Sequence, residues 1–193
     1  GADRYTWKGK TYEGSTFTLK DKPMNLTTYN VVGNHSGCES SISFQVDVIQ
    51  LPNIWISGPS SVCLNSAIQL TASGAMNYEW STGSKASIIT DRPTETKTYT
   101  VTGKDINGCK NTQSYTVHID SLPSFKIQGP TYACQGDAVN LSIEDGDAVR
   151  YTWSNGAISD AITPIINNAT SFTVEAISAK GCVTTKIHNI KCY

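Results

Sequence analysis

The feature that most constrains this chain is a short segment that occurs three times. Each copy is an alternating polar and apolar run that ends in a glycine and a cysteine, at residues 29–38, 99–109 and 172–182. A tryptophan precedes each copy, and Trp7, Trp80 and Trp153 are spaced at intervals of 73 residues. A regular spacing of this size indicates one small module repeated along the chain.

Further landmarks give the module boundaries. Leu51-Pro52 recurs as Leu122-Pro123, and the Gly-Pro at residue 58 recurs at residue 129. We therefore predict a second repeat at residues 53–122 and a third at 123–193. Residues 1–52 match only the C-terminal portion of a repeat, so we expect a partial first module.

The pattern within a repeat predicts strands. Apolar residues alternate with polar ones around Ile54, Leu70, Trp80, Val101 and Val117, and Gly, Asn or Pro separates the runs. A period of two places the apolar residues on one face of a sheet. Six or seven such strands in about 70 residues predict an all-β chain of tandem immunoglobulin-like (Ig-like) antiparallel β-sandwiches.

The linkers between repeats are short and contain proline. Residues 49–52 and 120–123 join the last strand of one module almost directly to the next module. Proline fixes φ and removes a backbone donor, so we expect stiff joints and an elongated array.

The cysteines predict disulfides. Repeat two contains Cys63 and Cys109, repeat three contains Cys134 and Cys182, and we expect each pair to bond within its own module. Each bond would contribute about 4 kcal/mol by loop closure. The spacing does not fit a metal site, and persistent disulfides imply export through an oxidising compartment. We expect the partners of the remaining Cys38 and Cys192 to lie outside this sequence.

The aromatic residues suggest a core and one exposed candidate. The Tyr-x-Trp pairs that end at Trp7, Trp80 and Trp153 place both rings on one face, which favours a core over a sugar-binding platform. Trp55 stands between Ile54 and Ile56 and should face outward, where it would contact the preceding module or a ligand.

Composition and motifs exclude several functions. The net charge is -1 and charged residues make up 16% of the chain, which argues against nucleic-acid binding. The sequence contains no run of 18 apolar residues, so we expect no segment that spans a membrane. No acid, base or nucleophile set recurs among the repeats, so we expect no enzyme, no catalytic residue, no bound metal and no cofactor.

The combined motifs resemble a known class of repeats. Gly-Pro-x-x-x-Cys at residues 58–63 and 129–134 is followed in both repeats by Tyr-x-Trp-Ser-x-Gly. A Tyr-Thr-Val-Thr strand and Asn-Gly-Cys then follow in repeat two, and in repeat three Phe172 replaces the tyrosine and Ala179-Lys180 replaces Ile-Asn. This order is similar to the tandem Ig-like or PKD-like repeats of very large secreted Bacteroidota proteins, including gliding-motility adhesins exported by the type IX secretion system. The resemblance implies an extracellular, cell-surface location and brings no catalytic residues.

Two functions follow as expectations. The first is a non-catalytic stalk or filament of a cell-surface adhesin, stiffened by disulfides, with neighbouring Ig-like repeats and an extracellular polysaccharide or protein as partners. The alternative is an array of carbohydrate-binding modules attached to a secreted enzyme, with Trp55 as the candidate contact. A further possibility is that another chain completes the partial first module by adding strands.

Overall fold

The computed structural model describes all residues from 1 to 193 as an all-β chain. It contains no α-helix, and therefore no helix that could cross a membrane. The strands, in chain order, are β1 (Arg4–Trp7), β2 (Lys10–Glu13), β3 (Thr27–His35), β4 (Cys38–Val46), β5 (Trp55–Ser57), β6 (Ser61–Cys63), β7 (Ile68–Ser73), β8 (Asn77–Trp80), β9 (Ile88–Asp91), β10 (Lys97–Lys104), β11 (Lys110–Asp120), β12 (Lys126–Gln128), β13 (Tyr132–Ala133), β14 (Asp137–Ala138), β15 (Leu141–Glu144), β16 (Arg150–Trp153), β17 (Ala161–Ile162), β18 (Ile165–Ile166), β19 (Thr170–Ile177) and β20 (Val183–Cys192).

The chain divides into two compact units. The first comprises Gly1–Pro52 together with Lys104–Lys110, the turn between β10 and β11. The second comprises Asn53–Gly103 and Asn111–Tyr193, so it contains most of repeats two and three.

The first unit is built on one antiparallel sheet of four strands in the order β2-β1-β3-β4. The hairpin between β3 and β4 turns through Ser36 and Gly37, whose φ angles are 50° and 85°. Positive φ at both central residues is the geometry that a two-residue hairpin favours, and glycine supplies it without strain. The strands of this unit form no second sheet, and the partial first module stays a prediction.

The second unit contains two β-sandwiches. In the first sandwich the sheet β5-β7-β9 faces the sheet β6-β11-β10-β8. The other sandwich repeats the plan with β12-β15-β17 and β13-β20-β19-β16, and adds the small pair β14-β18. In both sandwiches one short strand, β6 or β13, runs parallel to the end of the last strand. The pairs β5-β7, β7-β9, β12-β15, β15-β17, β14-β18, β16-β19 and β19-β20 are antiparallel.

Each sandwich has its own apolar core around a tryptophan. Trp80 is 2% exposed and Trp153 is 1% exposed. Each indole N–H donates to a backbone carbonyl, that of Ala86 or Ser159, at 2.9 Å. These bonds satisfy the one polar atom that burial would otherwise penalise. Trp80 and Trp153 are therefore core residues and not a sugar-binding platform.

Every sheet draws its strands from only one of the predicted segments 1–52, 53–122 and 123–193. The first compact unit contains Gly1–Pro52 but also Lys104–Lys110 of the predicted second repeat, so the boundary after Pro52 stays a prediction. The boundary at residues 122 and 123 lies inside the second unit and stays a prediction, although separate cores lie on its two sides.

Candidate functional site

The candidate site is the joint between the two sandwiches of the second unit, and Cys63 forms one side of it. Cys63 is the last residue of β6, which pairs in parallel with the end of β11 and sets Cys63 opposite Asp120. The amide of Leu64 donates to the Asp120 carbonyl at 2.9 Å. The parallel pairing therefore holds Cys63 at the pole where the first sandwich ends and the linker begins.

Cys182 forms the other side. It lies in the turn between β19 and β20 and is 1% exposed. Its amide donates to the hydroxyl oxygen of Ser178 at 3.1 Å, and the Ser178 amide donates to its carbonyl at 2.9 Å. Its sulfur lies 4.0 Å from the Asp120 carbonyl oxygen. The turn thus brings Cys182 to the linker from the side of the third repeat.

The structure joins Cys63 and Cys182 in a disulfide. Their Cα atoms are 5.6 Å apart and 119 residues separate them in sequence. The predicted pairs, Cys63 with Cys109 and Cys134 with Cys182, are wrong in this structure, because Cys109 and Cys134 are both free. The disulfide links two successive repeats and does not close a loop within one.

Strand geometry explains the correction. Cys109 immediately precedes β11, whereas Cys63 pairs with the last residue of that strand. Eleven extended residues span roughly 35 Å, and a disulfide needs Cα atoms within about 7 Å. The same holds for Cys134 and Cys182, which lie beside the two ends of β20. The two cysteines of one module therefore mark opposite poles.

Polar contacts border the joint beside the disulfide. An open cleft of about 220 Å³ is lined by Asp120, Ser121, Pro123, Asp147 and residues 178–180. The carboxylate of Asp147 accepts from the Ser124 amide at 2.7 Å, directly after the linker. The ammonium of Lys186 donates to the Phe125 carbonyl and lies 5.2 Å from the Phe125 ring centroid. The start of the third repeat is thereby fixed to its own sandwich close to the linker.

A second polar cluster recurs in two repeats and was not predicted from the sequence. Asp91 accepts hydrogen bonds from Lys97 and Tyr99, each at 2.8 Å. In the first unit Asp21 accepts from Lys8 at 2.7 Å and from Tyr29 at 2.9 Å. The signal was present in the sequence, because the aspartate stands eight residues before the tyrosine in both repeats.

These contacts shift the pKa values of the groups involved. The hydrogen bond from Lys97, and then that from Tyr99, lowers the pKa of Asp91 below its ordinary value. Burial, and then the hydrogen bond to Asp91, raises the pKa of the Tyr99 hydroxyl. The hydrogen bonds from Lys8 and Tyr29 lower the pKa of Asp21 in the same way. Both clusters anchor a tyrosine on the central strand of its sheet, and neither contains a nucleophile.

Trp55 lies apart from the joint on β5 and is 63% exposed, whereas its neighbour Ile54 is 4% exposed. Its predicted role as a ligand or inter-module contact stays a prediction.

The other candidates for chemistry are scattered: His35 pairs with Asp3 at 2.8 Å on the surface, and His188 contacts the Pro130 carbonyl at 3.0 Å. No group of three or more His, Cys, Asp or Glu side chains is arranged to hold a metal ion.

Comparison with known proteins gives distant structural likenesses only. No family model matches the chain, and no curated protein matches it. A three-domain Ig fragment of titin is 12% identical, with 98% of this chain and 87% of that chain covered and a TM-score of 0.38. The insect immune protein hemolin is 10% identical, with coverages of 98% and 67% and a TM-score of 0.40.

A 1.5-MDa bacterial ice-binding adhesin is a third similar structure. It is 13% identical, with 98% of this chain and 85% of that chain covered and a TM-score of 0.36. Identities and TM-scores this low carry no functional inference to this chain. The all-β architecture and the two Ig-like sandwiches follow from the strands and sheets described above.

Proposed function

We propose that this chain is a non-catalytic stalk segment of a large, secreted bacterial cell-surface adhesin. Its Ig-like repeats are linked covalently and hold a binding region away from the cell. The observation that carries the proposal is the bond between Cys63 and Cys182, because it joins one repeat to the next at their shared linker. A disulfide at that place limits bending and twisting between modules, which a stalk requires and an independent binding module does not.

The motifs quoted above support a more specific origin. Gly-Pro-x-x-x-Cys, Tyr-x-Trp-Ser-x-Gly and Asn-Gly-Cys occur in the order found in repeats of Bacteroidota surface proteins. We propose export by a type IX secretion system and a role in surface attachment or gliding. The partners are neighbouring Ig-like repeats and an extracellular polysaccharide or protein.

Small-angle X-ray scattering tests the stalk. We expect an elongated particle for the wild-type chain, and a wider distribution of shapes for the Cys63→Ser/Cys182→Ser variant because its joint lacks the covalent link. The matched control is Cys109→Ser/Cys134→Ser, which removes two cysteines that form no disulfide. Its scattering should equal that of the wild type. A compact wild-type particle, or identical scattering from all three proteins, would contradict the proposal.

One observation favours the alternative, an array of carbohydrate-binding modules. Trp55 exposes 63% of its surface, and an exposed indole can stack on a sugar ring. Binding to a glycan array that is lost in Trp55→Ala, and kept in the control Tyr132→Ala, would support this function. Tyr132 is a suitable control because it is also an exposed aromatic residue, at 51%. Equal glycan binding by both variants would remove Trp55 as the contact.

A further inference from the structure

The first unit contains a position that is exposed there and buried in both other repeats. Strand register identifies it: Tyr29 pairs with Phe44, and Phe172 of the third repeat pairs with His188. Val46 lies two residues after Phe44 and is 36% exposed, whereas Ile190 lies two residues after His188 and is 1% exposed. The corresponding Val117 of the second repeat is fully buried.

In repeats two and three the side chain at this position is buried against the facing sheet, and a separate strand covers the backbone edge of the last strand beside it. In each, a segment that follows Gly-Pro runs parallel to the end of the last strand, as β6 beside β11 and β13 beside β20. The His118 amide donates to the Ser60 carbonyl at 2.9 Å, and the Lys191 amide donates to the Thr131 carbonyl at 2.9 Å. The covering segment is therefore the same element in both sandwiches and is held by the same backbone bonds.

The first unit has no strand at this place. Its last strand, β4, pairs only with β3 and ends at Val46. The corresponding strand β11 continues to Asp120, whose register position matches Ile49. A groove of about 220 Å³ lies beside the strand end, with mainly apolar walls that include Trp7, Phe44 and Val46. Residues 47–49 thus present backbone groups at an open sheet edge, with which a parallel strand would pair.

Cys109 supplies a second, independent indication of the occupant. Cys109 and Cys182 hold the same register position, six residues before Tyr115 and His188. Cys182 bonds the cysteine that ends the covering strand β6. Cys109 is free, and its turn, Lys104–Lys110, belongs to the first unit. The first unit therefore contains both the exposed strand end and Cys109, the counterpart of the cysteine to which the covering strand β6 is bonded.

We propose that residues 46–49 bind, in parallel register, an extended Gly-Pro-x-x-x-Cys strand of a neighbouring Ig-like repeat, and that the cysteine of this strand forms a disulfide with Cys109. The chemistry of the occupant follows from β6 and β13, which carry this motif and pair with the equivalent strand end in their own sandwiches. Formation of the bond removes two protons and two electrons from the two thiols. A disulfide oxidant of the glutathione or protein type accepts them and is reduced to two thiols.

A peptide tests the proposal on the full chain. The probe is residues 57–65, with the sulfur of Cys63 activated as a mixed disulfide with thionitrobenzoate. The Cys109 thiolate attacks the peptide sulfur, a new S–S bond forms, and thionitrobenzoate leaves with the electron pair of the broken S–S bond. The released thionitrobenzoate gives the rate by absorbance. Activated glutathione serves as the reference reagent for intrinsic thiol reactivity.

Two protein variants isolate the site. One keeps Cys109 as its only free thiol, with Cys38, Cys134 and Cys192 changed to serine. The other keeps Cys134 and has Cys109 changed instead. We expect the ratio of the peptide rate to the glutathione rate to be at least about tenfold higher for Cys109 than for Cys134, because docking raises the local thiol concentration. Equal ratios for the two variants would overturn the proposal.

Strand pairing is tested separately. A peptide with Leu64→Pro lacks the donor that Leu64 gives to Asp120 in the second repeat, so it should lose the rate advantage. A peptide with Cys63→Ser should slow hydrogen exchange at the amides of Asp47 and Ile49, even without a disulfide. Unchanged exchange at these amides would overturn the proposal. If these amides are already protected from exchange without peptide, in a dimer of the chain, the proposed occupant is wrong and a second copy of the chain binds there instead.

Discussion

At the scale of single residues, Asp91 shows how this chain stabilises a central strand. Its carboxylate accepts from Lys97 and Tyr99, and Asp21 accepts from Tyr29 in the same way in the first unit. The third repeat has Phe172 where the others have tyrosine, and Pro164 stands eight residues before it. The hydroxyl and its carboxylate partner are thus lost together, which avoids an unsatisfied polar group.

We predict that Tyr99→Phe destabilises the second repeat by about 1.5 kcal/mol, because the Tyr99 hydroxyl donates to a charged acceptor beside a core in which the ring is fully buried. Native-state hydrogen exchange of the β10 amides measures the local free energy of opening. The control Phe172→Tyr should give no gain in stability, since Pro164 offers its hydroxyl no carboxylate. Equal exchange in wild type and Tyr99→Phe would contradict the role of this bond.

The lowered pKa of Asp91 predicts a loss of stability in acid. Its pKa in the unfolded chain is about 3.9, so the contribution is complete above that value and is lost as the pH falls through the lower pKa of the folded state. The free energy of unfolding of the second repeat should fall less between about pH 5 and about pH 2 in Asp91→Asn than in the wild type. Urea titrations across this window measure it. Parallel curves for the two proteins would contradict the prediction.

At the scale of elements, alternation predicted the strands well. The runs around Leu70, Trp80, Val101 and Val117 are β7, β8, β10 and β11 in the structure. Successive residues of a strand point to opposite faces of the sheet, so burial of one face produces this alternation. Neighbouring residues in the sequence are therefore enough to predict it. The division into repeats rests on the same local patterns recurring at a fixed spacing, and its boundaries stay predictions.

The pairing of the cysteines could not be read in the same way. Spacing shows that Cys63 and Cys109 belong to one repeat, but their separation in space depends on which pole each strand end reaches. That depends on the parallel pairing of β6 with the end of β11, which is a non-local contact. The covering role of β6 depends on the same contact and was equally invisible in the sequence.

Equivalent strand positions give a matched pair of substitutions. Val117 is fully buried in the core between the two sheets of its sandwich, whereas the corresponding Val46 is 36% exposed. We predict that Val117→Ala costs about 2 kcal/mol by removing buried methyl groups and leaving a cavity. Val46→Ala should cost less than half of that, because solvent already reaches the site. Hydrogen exchange in β10 and β3 reports the two effects, and equal costs would contradict the assignment of the exposed strand end.

At the scale of the whole molecule, the disulfide connects two consecutive repeats. The first cysteine of repeat two bonds the second cysteine of repeat three, and the loop between them spans 119 residues. Loop closure of this length contributes about 5 kcal/mol in the chain-entropy model. Because the bond crosses the linker, its contribution couples the two sandwiches and is not confined to one of them.

The most direct test of this account is disulfide mapping of the full chain, by proteolysis without reduction and mass spectrometry of the linked peptides. Alkylation of free thiols before digestion prevents exchange. We predict one linked species that joins Cys63 to Cys182, with Cys109 and Cys134 recovered as alkylated thiols. Peptides that join Cys63 to Cys109 and Cys134 to Cys182 would contradict the link between repeats.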